Sequence, residues 1–203
     1  MRNGGAAQTM AECEQDVREA LAFQTPHLSL YQLTLEPNTV FAKKPPPLPD
    51  HDEAADMQVR VEELLAEAGY EHYETSACAK PGMRCQHNLN YWGFGDYVAI
   101  GAGAHGKLSM PGGPPGSNEA AKIVRTERVK QPREYMQKAL SADPASCVFE
   151  RRSIKRDEIG FEFMLNALRL NDGFPVIERS HTKIAATELG RRFQNRLLSH
   201  FLK

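Results

Sequence analysis

His27-Leu28-Ser29-Leu30-Tyr31-Gln32-Leu33-Thr34-Leu35-Glu36 is the stretch on which the fold turns. Leu28, Leu30, Leu33 and Leu35 supply apolar surface among β-compatible residues, which predicts a buried strand closed by Pro37-Asn38. Before it, residues 9–23 place Met10, Val17, Ala20, Leu21 and Ala22 among acidic side chains. Thr9 stands at N-cap and Glu12 at N3 of the helix this predicts. After it, the prolines between Lys43 and Pro49 favour an extended segment. Asp50 and Glu53 then form a second capping box, opening a helix through Met57, Val61, Leu64 and Leu65 that stops at Gly69. Residues 70–75 predict a short strand, residues 76–95 a long loop, and Asp96-Tyr97-Val98-Ala99-Ile100 a further strand. A Gly- and Pro-rich turn over 109–118, a strand over 123–129 and a short helix over 132–140 follow. Phe161, Met164, Leu165 and Leu168 share a helix face that ends at Asn171-Asp172-Gly173. Leu189, Phe193, Leu197 and Phe201 recur every four residues in a C-terminal amphipathic helix. Strands alternating with helices point to an α/β first domain, residues 1–143, followed by a small helical domain, residues 144–203.

The 203 residues carry a formal net charge of -1, so no overall field favours nucleic acid or a membrane surface. The basic run Arg151-Arg152-Ser153-Ile154-Lys155-Arg156 reads as a solvated helix entrance rather than a nucleic-acid patch. No apolar run approaches a bilayer span, which predicts no stable membrane insertion. Met1-Arg2-Asn3-Gly4-Gly5-Ala6-Ala7 has no apolar core and is followed by Glu12, Glu14 and Asp16, against a signal or transit peptide. Cys13, Cys78, Cys85 and Cys147 are scattered without a C-x-x-C pair, as expected of free thiols in a reduced, cytoplasmic protein.

Two segments carry candidate chemistry. His87-Asn88-Leu89-Asn90-Tyr91-Trp92 holds the chain's one tryptophan. It sets a metal-capable imidazole beside two flat rings, the needs of a porphyrin's iron and faces. The alternative is that Tyr91 and Trp92 pack the loop while His87 and Asn88 hydrogen-bond its turn. Gly101-Ala102-Gly103-Ala104-His105-Gly106 lacks the G-x-G-x-x-G spacing of a dinucleotide loop. It implies close backbone approach, to a ligand or to a neighbouring strand. His105 is open to either a ligand role or a structural one. Glu36, His72 and Glu74 could line a polar site or only anchor loops. No nucleophile elbow, Walker loop or H-E-x-x-H is present.

Together, the 27–39 stretch, Gly69-Tyr70-Glu71-His72-Tyr73-Glu74-Thr75-Ser76, and His87-Asn88-Leu89-Asn90-Tyr91-Trp92 with the Gly-Ala-Gly-Ala-His-Gly segment resemble the HemW-type heme chaperones. These are radical S-adenosylmethionine (SAM) proteins similar to oxygen-independent coproporphyrinogen III oxidases. The resemblance extends through Gly160-Phe161-Glu162-Phe163-Met164-Leu165 to Leu189-Gly190-Arg191-Arg192-Phe193. It implies the C-terminal part of a partial radical-SAM (β/α) barrel followed by a small helical domain. The family binds heme, SAM and a [4Fe-4S] cluster and passes heme to acceptors such as respiratory enzymes. By resemblance, His87, Asn88, Tyr91 and Trp92 handle heme, with His87 as iron ligand, and Thr34 and His105 correspond to SAM-facing positions. A homodimer is compatible with it. The alternative is a coproporphyrinogen III oxidase-like enzyme of porphyrin biosynthesis, inactive in this form.

The chain departs from the family in lacking the C-x-x-x-C-x-x-C cluster motif, the early barrel strands and the Gly-Gly-Thr SAM loop. Gln8-Thr9 resembles a Gln-Thr found midway through the family sequence. Cys78-Ala79-Lys80 stands where Tyr-Ala-Arg is usual, and the region between Val176 and Ile184 looks shortened. The resemblance therefore implies a fragment, a truncated gene product or a decayed copy without the cluster-binding half, in which radical chemistry is not expected.

Overall fold

The computed structural model describes residues 2–3, 8–114, 120–175 and 183–184. They fall into two compact units, one drawn from Met1–Gln86 and Arg169–Ala185, the other from His87–Leu168.

In the first unit β1, Arg2–Asn3, precedes α1, Met10–Ala22. The expected capping box opens α1: Thr9 Oγ1 accepts the Glu12 N–H at 3.3 Å and Glu12 accepts the Thr9 N–H at 2.8 Å. Next come β2, His27–Ser29, β3, Tyr31–Gln32, and a short helix α2, Val40–Lys43. α3, His51–Glu67, starts at the second box, where Asp50 Oδ1 accepts from the Asp52 and Glu53 N–H groups. It buries Met57, Val61, Leu64 and Leu65, a three-to-four-residue spacing that presents one face to Cys13 and Val17 of α1. Gly69 takes φ +78°, a left-handed conformation that costs glycine little, and turns the chain into β4, Glu71–Glu74. β5, Ala77–Ala79, completes an antiparallel sheet of order β2-β5-β4.

This sheet has two different faces. Leu28 and Cys78, paired across β2 and β5, pack on the α1–α3 core. The register slips between His72 and Glu74, leaving Tyr73 as the extra residue of a bulge. Tyr73 Oη lies 2.8 Å from His27 Nε2, beside the fully buried Ala77 and Ala79.

The strand expected over residues 27–36 is thus two short pieces. Leu30 gives its N–H to the Ser76 carbonyl, and Tyr31–Gln32 pairs in parallel with β1 instead of continuing β2. Leu33 and Leu35 lie beyond both strands. The loop expected over residues 76–95 is also corrected, because it contains β5 and the helix α4, Gln86–Trp92. β5 is three small residues filling the centre of a sheet, too short and too unpatterned to register as a strand by periodicity.

In the second unit β6, His105–Met110, β7, Lys122–Arg128, and β8, Val148–Ser153, form an antiparallel meander. α5, Pro132–Ala139, and a 3₁₀ turn, Pro144–Cys147, connect β7 to β8, and α6, Ile159–Ala167, follows. Arg151, Arg152 and Ser153 of the basic run therefore stand on β8 rather than at a helix entrance. The strand expected over residues 96–100 is absent. Only Tyr97 exchanges main-chain hydrogen bonds with Lys107, at 2.9 and 3.0 Å. On one side the Asp96 carboxylate takes the Ser109 N–H at 2.8 Å, and on the other Arg128 Nε donates to the Ala99 carbonyl at 3.1 Å. Side chains thus occupy groups a longer ladder would need, and Val98 and Ile100 are left exposed.

The small-residue segment does bring backbones together. A Cβ on Gly106 would lie 2.9 Å from the Ala99 nitrogen and 2.8 Å from Thr126 Oγ1. Of the two readings of that segment, close approach to a neighbouring strand is the one this glycine serves. β9, Phe174–Pro175, pairs with β10, Lys183–Ile184. The C-terminal repeat of Leu189, Phe193, Leu197 and Phe201 lies outside the described residues.

Candidate functional site

The His87 to Trp92 segment is helical rather than a loop, and that changes what its residues can do. On α4, positions four apart lie on one stripe, so His87 stands one turn from Tyr91 and Asn88 one turn from Trp92 on adjacent stripes. The His87 and Tyr91 ring centroids are 6.4 Å apart, and His87 is exposed. Tyr91 meets Trp92 edge-on at 4.9 Å and lies 4.7 Å from Tyr97.

The end of the helix is tightly specified. Gly93 N–H bonds the Leu89 carbonyl, Gly95 N–H bonds the Asn90 carbonyl at 2.7 Å, and Phe94 between them takes φ +62°. That conformation is usually given to glycine. Here the Phe94 ring packs edge-on against Phe163, and the Lys107 ammonium sits 4.3 Å from its centre. A Cβ at Gly95 would fall 2.0 Å from Asn90 Oδ1, so the turn needs glycine.

A polar network stands behind the aromatic rings. Arg125 Nη1 donates to Tyr97 Oη at 2.6 Å, and Nη2 pairs with Glu162 of α6. Arg152 holds the other Glu162 oxygen at 3.0 Å. Two guanidinium groups draw this carboxylate inward, so the buried side of α6 carries Glu162, Asn166 and Ala167. The apolar face expected on this helix is corrected accordingly: Leu165 is 40% exposed, while Leu168 beyond the helix end is buried. Burial pushes the Tyr97 hydroxyl up to about 12, the Tyr91 hydroxyl acting in the same direction and Arg125 against it. Tyr97 therefore keeps its proton at neutral pH.

His105 opens β6 opposite Glu127, its Nε2 4.0 Å from Glu127 Oε1, too far for a hydrogen bond. It lines a cleft of about 330 Å³ with Arg125, Glu127, Glu150, Arg152 and Glu162. Thr34 is exposed, in irregular chain after β3 within the first unit. The structure thus gathers His87, Asn88, Tyr91 and Trp92 on one helix, puts His105 on a separate strand of the same unit, and leaves Thr34 outside any strand. Glu74 is 1% exposed, with Oε1 accepting from Ser76 Oγ at 3.3 Å, which makes it a buried carboxylate rather than a surface anchor. Tyr97, Arg125 and Glu162 were not singled out by sequence reasoning. The one signal available was Glu162 itself, a lone carboxylate in the apolar run Gly160-Phe161-Glu162-Phe163-Met164-Leu165.

No family model matches the chain. The heme chaperone HemW of Escherichia coli is 43% identical over 178 residues, covering 88% of this chain and 43% of that protein. The chain is a HemW homologue. HemW of Buchnera aphidicola subsp. Acyrthosiphon pisum is 36% identical over 202 residues, covering 98% of this chain and 49% of its own length. The chain thus spans about half the length of the HemW relatives it matches. The solved structure of coproporphyrinogen III oxidase (HemN) from Escherichia coli, a radical SAM enzyme, superimposes with a TM-score of 0.60 over 84% of this chain and 39% of that one. At 14% identity that likeness establishes a shared α/β fold.

The thiols of this HemW homologue are set far apart in the chain. Cys13 lies in α1, Cys78 in β5 and Cys147 in the 3₁₀ turn, all buried, while Cys85 before α4 is half-buried. Among the described residues no three His, Cys, Asp or Glu side chains are grouped to hold a metal ion. A [4Fe-4S] cluster held by three thiolates does not fit this arrangement. Burial, reinforced by the charges of Glu62 and Glu74, pushes the Cys78 thiol up to about 12, where it is inert at neutral pH. A disulfide-exchange reagent should label Cys85 first in the native protein, with Cys13, Cys78 and Cys147 reacting only after denaturant is added. Prompt native labelling of Cys78, read by peptide mass, would contradict the burial described here. Among the described residues no helix is long and apolar enough to cross a membrane.

Proposed function

We propose that this chain supplies the heme-holding surface of a HemW-type heme chaperone, in which heme is cargo passed to acceptor proteins such as respiratory enzymes. The observation that carries it is the shared face of α4, where the exposed His87 imidazole stands one turn from the Tyr91 ring, with Trp92 set edge-on beside it. An imidazole can ligate the iron while aromatic rings cover the macrocycle, and cargo meant for transfer suits an exposed ligand better than an enclosed one. Asn88, next to His87 on α4, belongs to the same proposed heme-handling set. We place the chaperone in the cytoplasm, and its homodimer as one assembly in which it acts.

His105, in its cleft, is the better formed of the two positions proposed for SAM, and Thr34 is proposed separately within the first unit. SAM would bring a sulfonium and an amino-acid head there; His105 and Glu127 would supply imidazole and carboxylate partners. The coproporphyrinogen oxidase-like alternative needs a three-thiolate cradle, and no observation here favours it.

Trp92 makes the heme reading testable without a label, because heme quenches a tryptophan within a few nanometres and the chain has no other. Titrating hemin should quench the emission saturably at one equivalent per chain. Emission that falls only in proportion to hemin absorbance, with no saturation, would refute the reading.

A further inference from the structure

Tyr91 is a motif residue whose ring packs on a residue outside the motif. Its ring lies 4.7 Å from the Tyr97 ring at an interplanar angle of 36°. Tyr97 Oη accepts from Arg125 Nη1 at 2.6 Å, which ties the ring that Tyr91 packs against to β7. Arg125 is fixed in turn, because its second guanidinium nitrogen is held by Glu162, which Arg152 also grips at 3.0 Å. Arg125 sits on β7 with its cross-strand neighbours Lys107 and Arg152, in the middle of a three-stranded sheet, which is a rigid mount. Tyr97 has only one main-chain partner, Lys107, and would otherwise be loosely held.

We propose that Arg125 is a positioning residue for the heme site: it fixes the Tyr97 hydroxyl, and through the Tyr97 ring the place of the Tyr91 ring. The inference rests on the heme reading above and adds three residues to it, Arg125, Tyr97 and Glu162, that lie outside the H-N-x-x-Y-W segment. A planar fork is required, because one nitrogen serves Tyr97 while another serves Glu162. A lysine has a single ammonium on a flexible stem and serves one of them at a time.

The test uses hemin with the full chain, Arg125→Met, Arg125→Lys and Tyr97→Phe, reading affinity from Trp92 quenching and the ligand field from the Soret band. Tyr97→Phe keeps the ring and removes only the hydroxyl, so it stays informative if Arg125→Met does not fold. Both should weaken hemin by about tenfold, the scale for losing a group that orients a ligating residue, and should move the Soret maximum. Arg125→Lys should fall between them and the parent. A parent chain that ignores hemin removes the heme reading and this inference together. A parent that binds while Tyr97→Phe and folded Arg125→Met match it in affinity and Soret position removes this inference alone.

Discussion

An Asp96→Ala protein should lose about 2–3 kcal/mol of stability in the second unit, the scale of leaving a buried ammonium without its partner, reduced because Asp96 itself faces water. Lys107 is 1% exposed, yet its Nζ is 2.9 Å from Asp96 Oδ1 and rests on the Phe94 ring. The same carboxylate takes the Ser109 N–H and hydroxyl, both at 2.8 Å, so one substitution strands three donors. Lys107→Met with Asp96→Ala should recover much of the loss, since a thioether chain needs no partner. Acid carries the same signature. Lys107, with Ser109, lowers the Asp96 carboxyl to about 2, below its ordinary value near 4. A depressed folded-state value means the stabilisation is full above pH 4 and disappears as pH falls towards 2. Trp92 emission followed through urea unfolding reads this unit. A midpoint in Asp96→Ala equal to the parent's would show that the pair does not hold Lys107 in the interior.

Leu65→Ala should cost about 2–5 kcal/mol, the range for deleting a packed leucine from an interior. Leu65 is 1% exposed at the centre of a cluster with Cys13, Val17, Met57, Val61, Tyr70 and Cys78. No neighbour can close the gap readily: α1 and α3 are each fixed by a capping box, and Tyr70 is tied by its hydroxyl to the Thr25 carbonyl. The expected result is a lower urea midpoint by far-ultraviolet dichroism, with accelerated amide exchange in α3. A loss well under 1 kcal/mol would mean this cluster is not the core of the first unit.

The elements legible in the sequence were those whose determinants are local. Both capping boxes, the α3 stripe from Met57 to Leu65, the β7 strand and the Pro132 helix start follow from residues within a turn or two of each other. What escaped was decided at a distance. Residues 96–100 have an apolar pattern fit for a strand, but Asp96 and Arg128 take the hydrogen bonds a ladder would use. α4 is seven residues long and is followed by a left-handed phenylalanine, Phe94, whose ring packs on Phe163 and under the Lys107 ammonium. α6 turns a carboxylate inward because two arginines on neighbouring strands meet it there. The motif residues of the candidate site could be named from resemblance, whereas Tyr97, Arg125 and Glu162 come together only through tertiary pairing.

On the proposed reading, heme is held on α4 through the exposed His87 imidazole. The direct measurement is the Soret spectrum and affinity of the ferric heme complex in the parent, His87→Ala and His105→Ala. His87→Ala should shift the Soret band and weaken binding at least tenfold, about 1.4 kcal/mol or more, while His105→Ala should leave both near the parent values. A parent-like spectrum and affinity in His87→Ala, with the loss appearing in His105→Ala, would contradict it.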